Sequence, residues 1–310
     1  MQDAIGVDVS KAMLVAYCSL INEYRQFPND AAGLAAPEQW ASDDIAVIVF
    51  EASGTYHREL ERHLSRRGLT FAKVDPRQAR RFAEAIGRVA KTDRLDAEML
   101  ARMGATLQLE PTVAQPEVVA DLRDLLVFRR GLIKDRTAAR TRLKMARQVV
   151  LRRFLTQRLA QVERQIARID ATMQALIASD TGLMERLSIL VSIPGISLVS
   201  ATALLADMPE LGSLSGKEAA ALAGLAPISR QSGQWRGQEH IQGGRQSVRQ
   251  VLFMPALSDI QHNSSSKAKF QDLVQAGKPR KVAQTAVMRK LIVLANALLR
   301  DGRKWVPEPT

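Results

Sequence analysis

Four carboxylates stand where phosphoryl-transfer chemistry would need them. Asp8 lies near the end of a short apolar run, AIGVDVS at 4–10, two residues after Gly6. Glu51 closes a second run, IAVIVFE, directly before a Ser-Gly pair. Asp93 and Asp96 sit three apart in KTDRLDAEML, a spacing that puts both on one face of a helix. Carboxylates held close repel unless they are protonated or bridged by cations, and hard oxygen donors suit Mg²⁺. Two such ions about 4 Å apart activate a nucleophile and stabilise a leaving oxygen at phosphorus. Each acid also has an ordinary role open to it. Asp8 could cap a turn, Asp93 could cap a helix, and Asp96 could pair with Arg94 or Arg102. Glu51, after an apolar run, is harder to assign to a solvated surface.

The elements that must position these acids are legible in the first third of the chain. Apolar runs at 4–10, 13–20 and 24–27 read as three hairpin-like strands. A helix over 30–40, a buried strand over 45–50, a helix over 56–67 and a strand LTFAKVD over 69–75 follow. Pro76 suits the first turn of the next helix, and a further helix covers 93–105. The expectation is an α/β domain with a mixed sheet. Residues 117–178 contain no proline and one glycine, Gly131, while Leu122, Leu125, Leu126, Ile133, Leu159, Val162, Ile166, Ile169, Met173 and Leu176 recur at helical spacing. That pattern predicts a long helix or helical hairpin with coiled-coil character. SIPGISLVSATALLADM (192–208) reads as helix, Pro-Gly turn, helix. It resembles a helix-hairpin-helix element in which Gly195 lets the backbone approach a DNA phosphate. A Gly-, Ser- and Arg-rich loop then spans 225–244, and helices run with breaks from 247 to 299.

Composition narrows the function classes. At 310 residues the chain is about two domains long. A single cysteine, Cys18, excludes a disulfide framework, and four scattered histidines argue against a zinc site. Aromatic content of 5% argues against broad base-stacking platforms. No run of about 18 apolar residues is present, and no basic stretch precedes an apolar one at the N-terminus, so a cytoplasmic protein without membrane partners is expected. The net charge is +12. Residues 121–169 hold fourteen basic and four acidic side chains, whereas residues 1–120 hold fourteen and seventeen. Arg129, Arg130, Lys134, Arg136, Arg140, Arg142, Lys144 and Arg147 form the basic face of the helical middle, a surface suited to tracking phosphates rather than a mixed-sign solvated one.

Taken in order, strand-end Asp, strand-end Glu and helical Asp-x-x-Asp resemble the layout of RNase H-like, RuvC-type nucleases. The wider chain resembles the DEDD insertion-sequence transposases, related to the Piv/MooV invertases and described as bridge-RNA-guided recombinases. The matching stretches are GVDVSK (6–11), FEASGTYHREL (50–60), VDPRQARRFAEAIGRVAKTDRLDAEMLAR (74–102), SIPGIS (192–197), GLAPISRQSGQWRG (224–237) and GGRQSVRQVLF (243–253). The resemblance implies a RuvC-like catalytic domain over 1–110, a basic coiled-coil segment over 111–180 and a mostly helical transposase domain over 181–310. It implies that Asp8, Glu51, Asp93 and Asp96 hold Mg²⁺, as a two-metal site. It places the nucleophilic serine at Ser232, followed by Gly233, with Ser229 and Ser247 as nearby competitors. Arg230, Arg236, Arg245 and Arg249 flank that serine, and guanidinium forks suit phosphate oxygens.

The resemblance also implies partners. These are double-stranded target and donor DNA, a structured guide (bridge) RNA, and further copies of the chain in a dimer assembling to a tetramer with composite active sites. The implied product is a covalent phosphoserine–DNA intermediate. Two other readings are set against this one: a RuvC-like junction endonuclease that uses water, and a non-catalytic nucleic-acid-binding scaffold.

Overall fold

A computed structural model describes residues 3–34, 45–52, 54–88, 90, 92–113, 115–229, 231–232, 235–237 and 239–306. The chain divides into two compact units, Met1–Ala114 and Gln115–Thr310.

The first unit is a five-stranded mixed sheet between helices. Strands β1 (Asp3–Val9), β2 (Met13–Cys18) and β3 (Glu23–Pro28) form an antiparallel meander; β4 (Ile45–Glu51) and β5 (Phe71–Val74) add in parallel on the other side of β1. The spatial order is β3-β2-β1-β4-β5. This mixed α/β arrangement is consistent with an RNase H-like domain. Side chains alternate between the two faces, as the pleat requires. Ile5, Val7, Val9, Ile48 and Phe50 pack with Leu60 and Leu64 of α2 (Arg58–Arg66) and with Leu34, which ends α1 (Ala31–Leu34). Ala4, Val47, Val49, Ala72 and Val74 pack on the opposite face with α3 (Pro76–Ala85) and α4 (Asp93–Leu107). Pro76 does open α3, with Asp75 as its N-cap accepting from the Arg77 amide. The helix expected over 30–40 is α1 as far as Leu34; the rest of it lies outside the described residues. The helix expected over 56–67 begins at Arg58, because residues 54–57 form turns.

The second unit is helical apart from two short ladders. The middle segment is a hairpin of α5 (Glu117–Met145) and α6 (Val149–Ala178). The two helices are zipped by Leu132, Val162 and Ile166 and by an Arg129–Asp170 ion pair. At its base Val119, Leu122, Leu126, Met173 and Ile177 enter one large core with α7 (Thr181–Ser192), α8 (Leu198–Asp207), α9 (Gly216–Leu222), α10 (Gln246–His262) and α12 (Arg280–Arg300). Helix α11 (Ser264–Gln275) packs beside α10 and α12. Helix α12 is long and apolar enough to cross a membrane, with a mean hydropathy of 1.4 over its most apolar window. Half of that window is buried, and Val287, Leu291, Ile292, Ala295 and Leu298 belong to the core, which accounts for its composition.

The stretch expected as a loop, 225–244, is instead a nested pair of ladders. β6 (Pro227–Ile228) pairs with β9 (His240–Ile241), and inside them β7 (Gln231–Ser232) pairs with β8 (Trp235–Arg236). Strands of two residues leave no apolar periodicity to read, so their glycines and serines alone suggested an irregular loop.

Candidate active site

The acids are placed by a contact between a strand and a helix. A Cβ on Gly6 would fall 1.9 Å from the Ala97 carbonyl oxygen and 2.4 Å from the Ala101 nitrogen, so β1 and α4 touch backbone to backbone there. Gly104, further along α4, sits over Ala4 and Val49. Strand and helix therefore run antiparallel. Two residues beyond Gly6 on the same face, Asp8 reaches the level of the first turn of α4, which carries Asp93 and Asp96. Val7 is registered with Phe50, which puts Glu51 beside Asp8 at the same end of the adjacent parallel strand. Asp8, Glu51 and Asp96 are half-buried, and Asp93 is exposed.

Thr92 caps α4, its hydroxyl accepting from the Leu95 amide at 3.3 Å. Asp93 and Asp96 thus lie where the helix dipole favours anions, and neither has to serve as the cap. Among the described residues, no group of three or more Asp, Glu, His or Cys side chains is gathered closely enough to hold a metal ion. Four anions held at one end of one sheet face repel in the absence of a counter-charge. As donors they are hard oxygens of the kind Mg²⁺ takes, so the residues fit such an ion by type, and β1, β4 and α4 bring them to one end of the sheet without closing them around a common centre.

Behind this turn lies a network that the sequence did not signal. Glu98, one helical turn after Arg94, accepts from Arg88 and from the Tyr24 hydroxyl at 2.6 Å. Tyr24 packs on Tyr17 with ring centroids 4.7 Å apart, and the Arg94 guanidinium stands 5.8 Å above the Tyr24 ring. The Arg88 hydrogen bond, helped by Tyr24, holds the Glu98 carboxyl below its ordinary range despite burial. Burial, then the Glu98 hydrogen bond, pushes the Tyr24 phenol up to about 12. The network ties β3 and the segment entering α4 to the helix that bears Asp93 and Asp96.

In the second unit, Ser232 is exposed at the end of β7, opposite Trp235. Its hairpin is anchored at the base by glycine contacts. A Cβ on Gly244 would lie 2.2 Å from the Gly224 nitrogen, and both residues have positive φ, +62° and +67°. Arg249 donates to the Gly224 and Gly243 carbonyls, each at 3.1 Å. Arg245 forms a two-pronged pair with Glu210 and also donates to the Asp207 carbonyl at 2.8 Å. Burial alone would raise the Glu210 carboxyl; the Arg245 guanidinium outweighs it and holds it low. Arg245 and Arg249, two of the four arginines expected to face phosphate, are therefore engaged within the protein. Ser229 donates to Glu239 at 2.6 Å, and Ser247 is the second residue of α10, whose N-cap is Arg245. Arg230, Gly233 and the Arg236 side chain lie outside the described residues.

Other nominated residues divide in the same way. Arg129 pairs with Asp170, Arg130 with the buried Asp207, and Arg140 with Glu163. Among the described residues Lys134, Arg136, Arg142 and Lys144 form no ion pair, and they lie on the distal half of the hairpin. Gly195 has φ +84°, and its Cβ position is filled by the Pro255 carbonyl oxygen of α10 at 2.6 Å. Close packing on α10 thus explains that glycine.

Two family models match the chain. One, a DEDD transposase of the IS110 type, covers residues 5–152; the other, described as the transposase IS116/IS110/IS902 family, covers residues 187–271. The chain is also similar to the pilin gene-inverting proteins of Moraxella bovis and Moraxella lacunata. Each is 28% identical over 318 aligned positions, covering 97% of both chains.

Proposed function

Since the chain belongs to the DEDD insertion-sequence transposase family, whose members include the pilin gene-inverting type, we propose that it cuts and rejoins DNA strands through a Ser232 nucleophile assisted by Mg²⁺ at Asp8, Glu51, Asp93 and Asp96. The observation that carries this reading is the convergence of the ends of β1 and β4 on the first turn of α4, in a chain that also presents an exposed serine on an anchored hairpin.

Each residue has a stated task. Asp8, Glu51, Asp93 and Asp96 hold the cation, which when bound lowers the pKa of a hydroxyl and offsets phosphate charge. The Ser232 oxygen forms a bond to the scissile phosphorus as the bond to the leaving DNA oxygen breaks, and the serine proton ends on that leaving hydroxyl. Attack by a hydroxyl of a second strand reverses the step and restores the serine, so the energy of the phosphodiester is conserved without a nucleotide cofactor. The exposed position of Ser232 supports access to a strand. Arg245 and Arg249 support it as positioning residues that hold the hairpin base.

The division into a catalytic domain over 1–110, a coiled-coil segment over 111–180 and a transposase domain over 181–310 is part of this proposal. So is guidance by a structured bridge RNA, with Lys134, Arg136, Arg142 and Lys144 on its phosphates. Met145, Val149 and Phe154, exposed around the hairpin tip, support self-association through the same segment. Composite sites would then draw Ser232 and the carboxylates from different copies.

The test is strand exchange on DNA carrying the element ends, with the flanking transcript as guide. Ser232→Ala is expected to abolish both exchange and any covalent protein–DNA product, and Asp8→Ala to abolish cleavage altogether. Hydrolytic cleavage surviving in Ser232→Ala, with no adduct in the unaltered protein, would assign the water-using nuclease reaction instead. Nucleic-acid binding that survives intact in Asp8→Ala, with no cleavage by the unaltered protein, would assign a scaffold.

A further inference from the structure

The most one-sided stretch of charge in the C-terminal third is absorbed by none of the roles above. Residues 264–290 contain seven basic side chains and one acid, Asp272. They fold as α11, a Gly-Lys-Pro turn and the first half of α12. An open groove of about 1020 Å³ lies where these helices meet the start of α9, and Lys217, Lys269, Arg289 and Lys290 line it from three elements. Asp272 is the one acid in its lining. Among the described residues, none of these four cations forms an ion pair, in contrast to Arg129, Arg130 and Arg140 on the hairpin. Four unneutralised cations converging on one groove repel one another, and the arrangement is stable at low cost only if solvent or a polyanion compensates them.

We propose that this groove between α9, α11 and α12 is a docking surface for the phosphate backbone of double-stranded DNA, separate from the carboxylate and serine elements. The character of the lining supports this occupant. Its floor is built from small aliphatic residues, with Gly216 fitted so closely under Val293 that a Cβ there would lie 3.1 Å from a valine methyl. No aromatic side chain lines it, so it offers no platform on which unpaired bases could stack. Both hydroxyls of the lining accept hydrogen bonds within the protein: Ser215 accepts from the Glu218 amide as a helix cap, and Ser265 accepts from Lys290 at 2.8 Å. A surface of cations without a stacking platform suits the phosphate backbone of a duplex, and double-stranded DNA is the duplex that the proposed function supplies. The inference rests on the DNA-acting part of the function proposed above, not on its serine chemistry.

The experiment uses the full-length chain freed of nucleic acid, with a fluorescent mixed-sequence duplex DNA as probe. Binding is measured against salt concentration for the unaltered protein and for a Lys217→Ala, Lys269→Ala, Arg289→Ala triple variant. Each lost phosphate contact flattens the plot of log affinity against log salt by about 0.9, so a decrease of about 2 to 3 in slope is expected. The mixed-sequence probe carries no element ends, so the slope reports the groove whether or not Ser232 is the nucleophile, which separates a failure here from a failure of that assignment. A second readout needs no variant: bound duplex should protect Lys217, Lys269 and Lys290 from acetylation. Unchanged slope and unprotected lysines would overturn the proposal. So would a loss confined to a structured RNA probe, which would assign the groove to RNA. Weakened self-association with DNA binding intact would likewise overturn it, by assigning the groove to a second copy of the chain.

Discussion

Gly6 of β1 lies in backbone contact with Ala97 of α4, so close that a Cβ at position 6 would stand 1.9 Å from the Ala97 carbonyl oxygen. That contact sets the strand-end aspartate level with the first turn of the helix. Gly6→Ala should force the helix off the sheet, costing at least about 2–3 kcal/mol as an overpacked core position and abolishing DNA cleavage. Gly131→Ala is the control, because nothing lies within 4 Å of that position; its helix should gain about 0.5–1 kcal/mol. Urea unfolding of the two variants measures both.

Two cations of the hairpin should respond to deletion by very different amounts. Arg130 neutralises Asp207, whose side chain is 5% exposed, whereas Arg140 and Glu163 are about half exposed. Arg130→Ala leaves a buried carboxylate uncompensated and should cost about 3–5 kcal/mol. Arg140→Ala should cost less than about 1 kcal/mol. Thermal melts with added salt should also show a salt-dependent contribution for Arg140 alone.

The Glu98 network gives acid sensitivity with a defined sign. Its carboxyl is held below the ordinary 4.5 by Arg88, so it binds fewer protons folded than unfolded. Its contribution is present in full above about 4.5 and fades as pH falls through the lowered folded value. Glu98→Gln should flatten that part of the melting-temperature profile. Above pH 10 the raised Tyr24 phenol acts in reverse: the stability it gives is present below the ordinary 10.0 and is lost as pH rises through about 12. Tyr24→Phe should remove that alkaline loss. Profiles identical to the unaltered protein would show that the network holds nothing together.

Arg249 bridges two carbonyls at the root of the serine hairpin. Arg249→Met keeps the stem and removes both bonds, and should lower stability by about 1–3 kcal/mol. Arg249→Lys, with no fork, should restore less than half of that loss. Hydrogen exchange at residues 225–244 should rise in both variants. Exchange unchanged in this stretch would mean that the glycine contacts alone hold the base.

Much of this arrangement was readable from the chain because burial imposes period. The apolar runs ending at Asp8 and Glu51 became β1 and β4, and Asp-x-x-Asp opened a helix, capped by Thr92 where Asp93 had been the candidate, since alternation and helical spacing are local. Three features were not. The hairpin break at Ala146–Gln148 lacks glycine and proline, so the pattern left a long helix and a helical hairpin both open and did not place the turn. The ladders at 227–241 are too short to show alternation. The partners of Arg129, Arg130, Arg245 and Arg249 are tens of residues away or backbone carbonyls, and a run of arginines looks the same whether it faces phosphate or Asp170. The basic stretch at 264–290 was not singled out from the sequence, and its groove depends on α9, which lies more than forty residues earlier.

The measurement that bears most directly on the account is peptide mapping of DNA-reacted protein by mass spectrometry. Protein incubated with Mg²⁺, guide RNA and element-end DNA, then denatured and digested, should yield a peptide bearing a nucleotide phosphate on Ser232, absent from Asp8→Ala. A nucleotide phosphate on any other residue, or cleaved DNA with every serine unmodified, would contradict it.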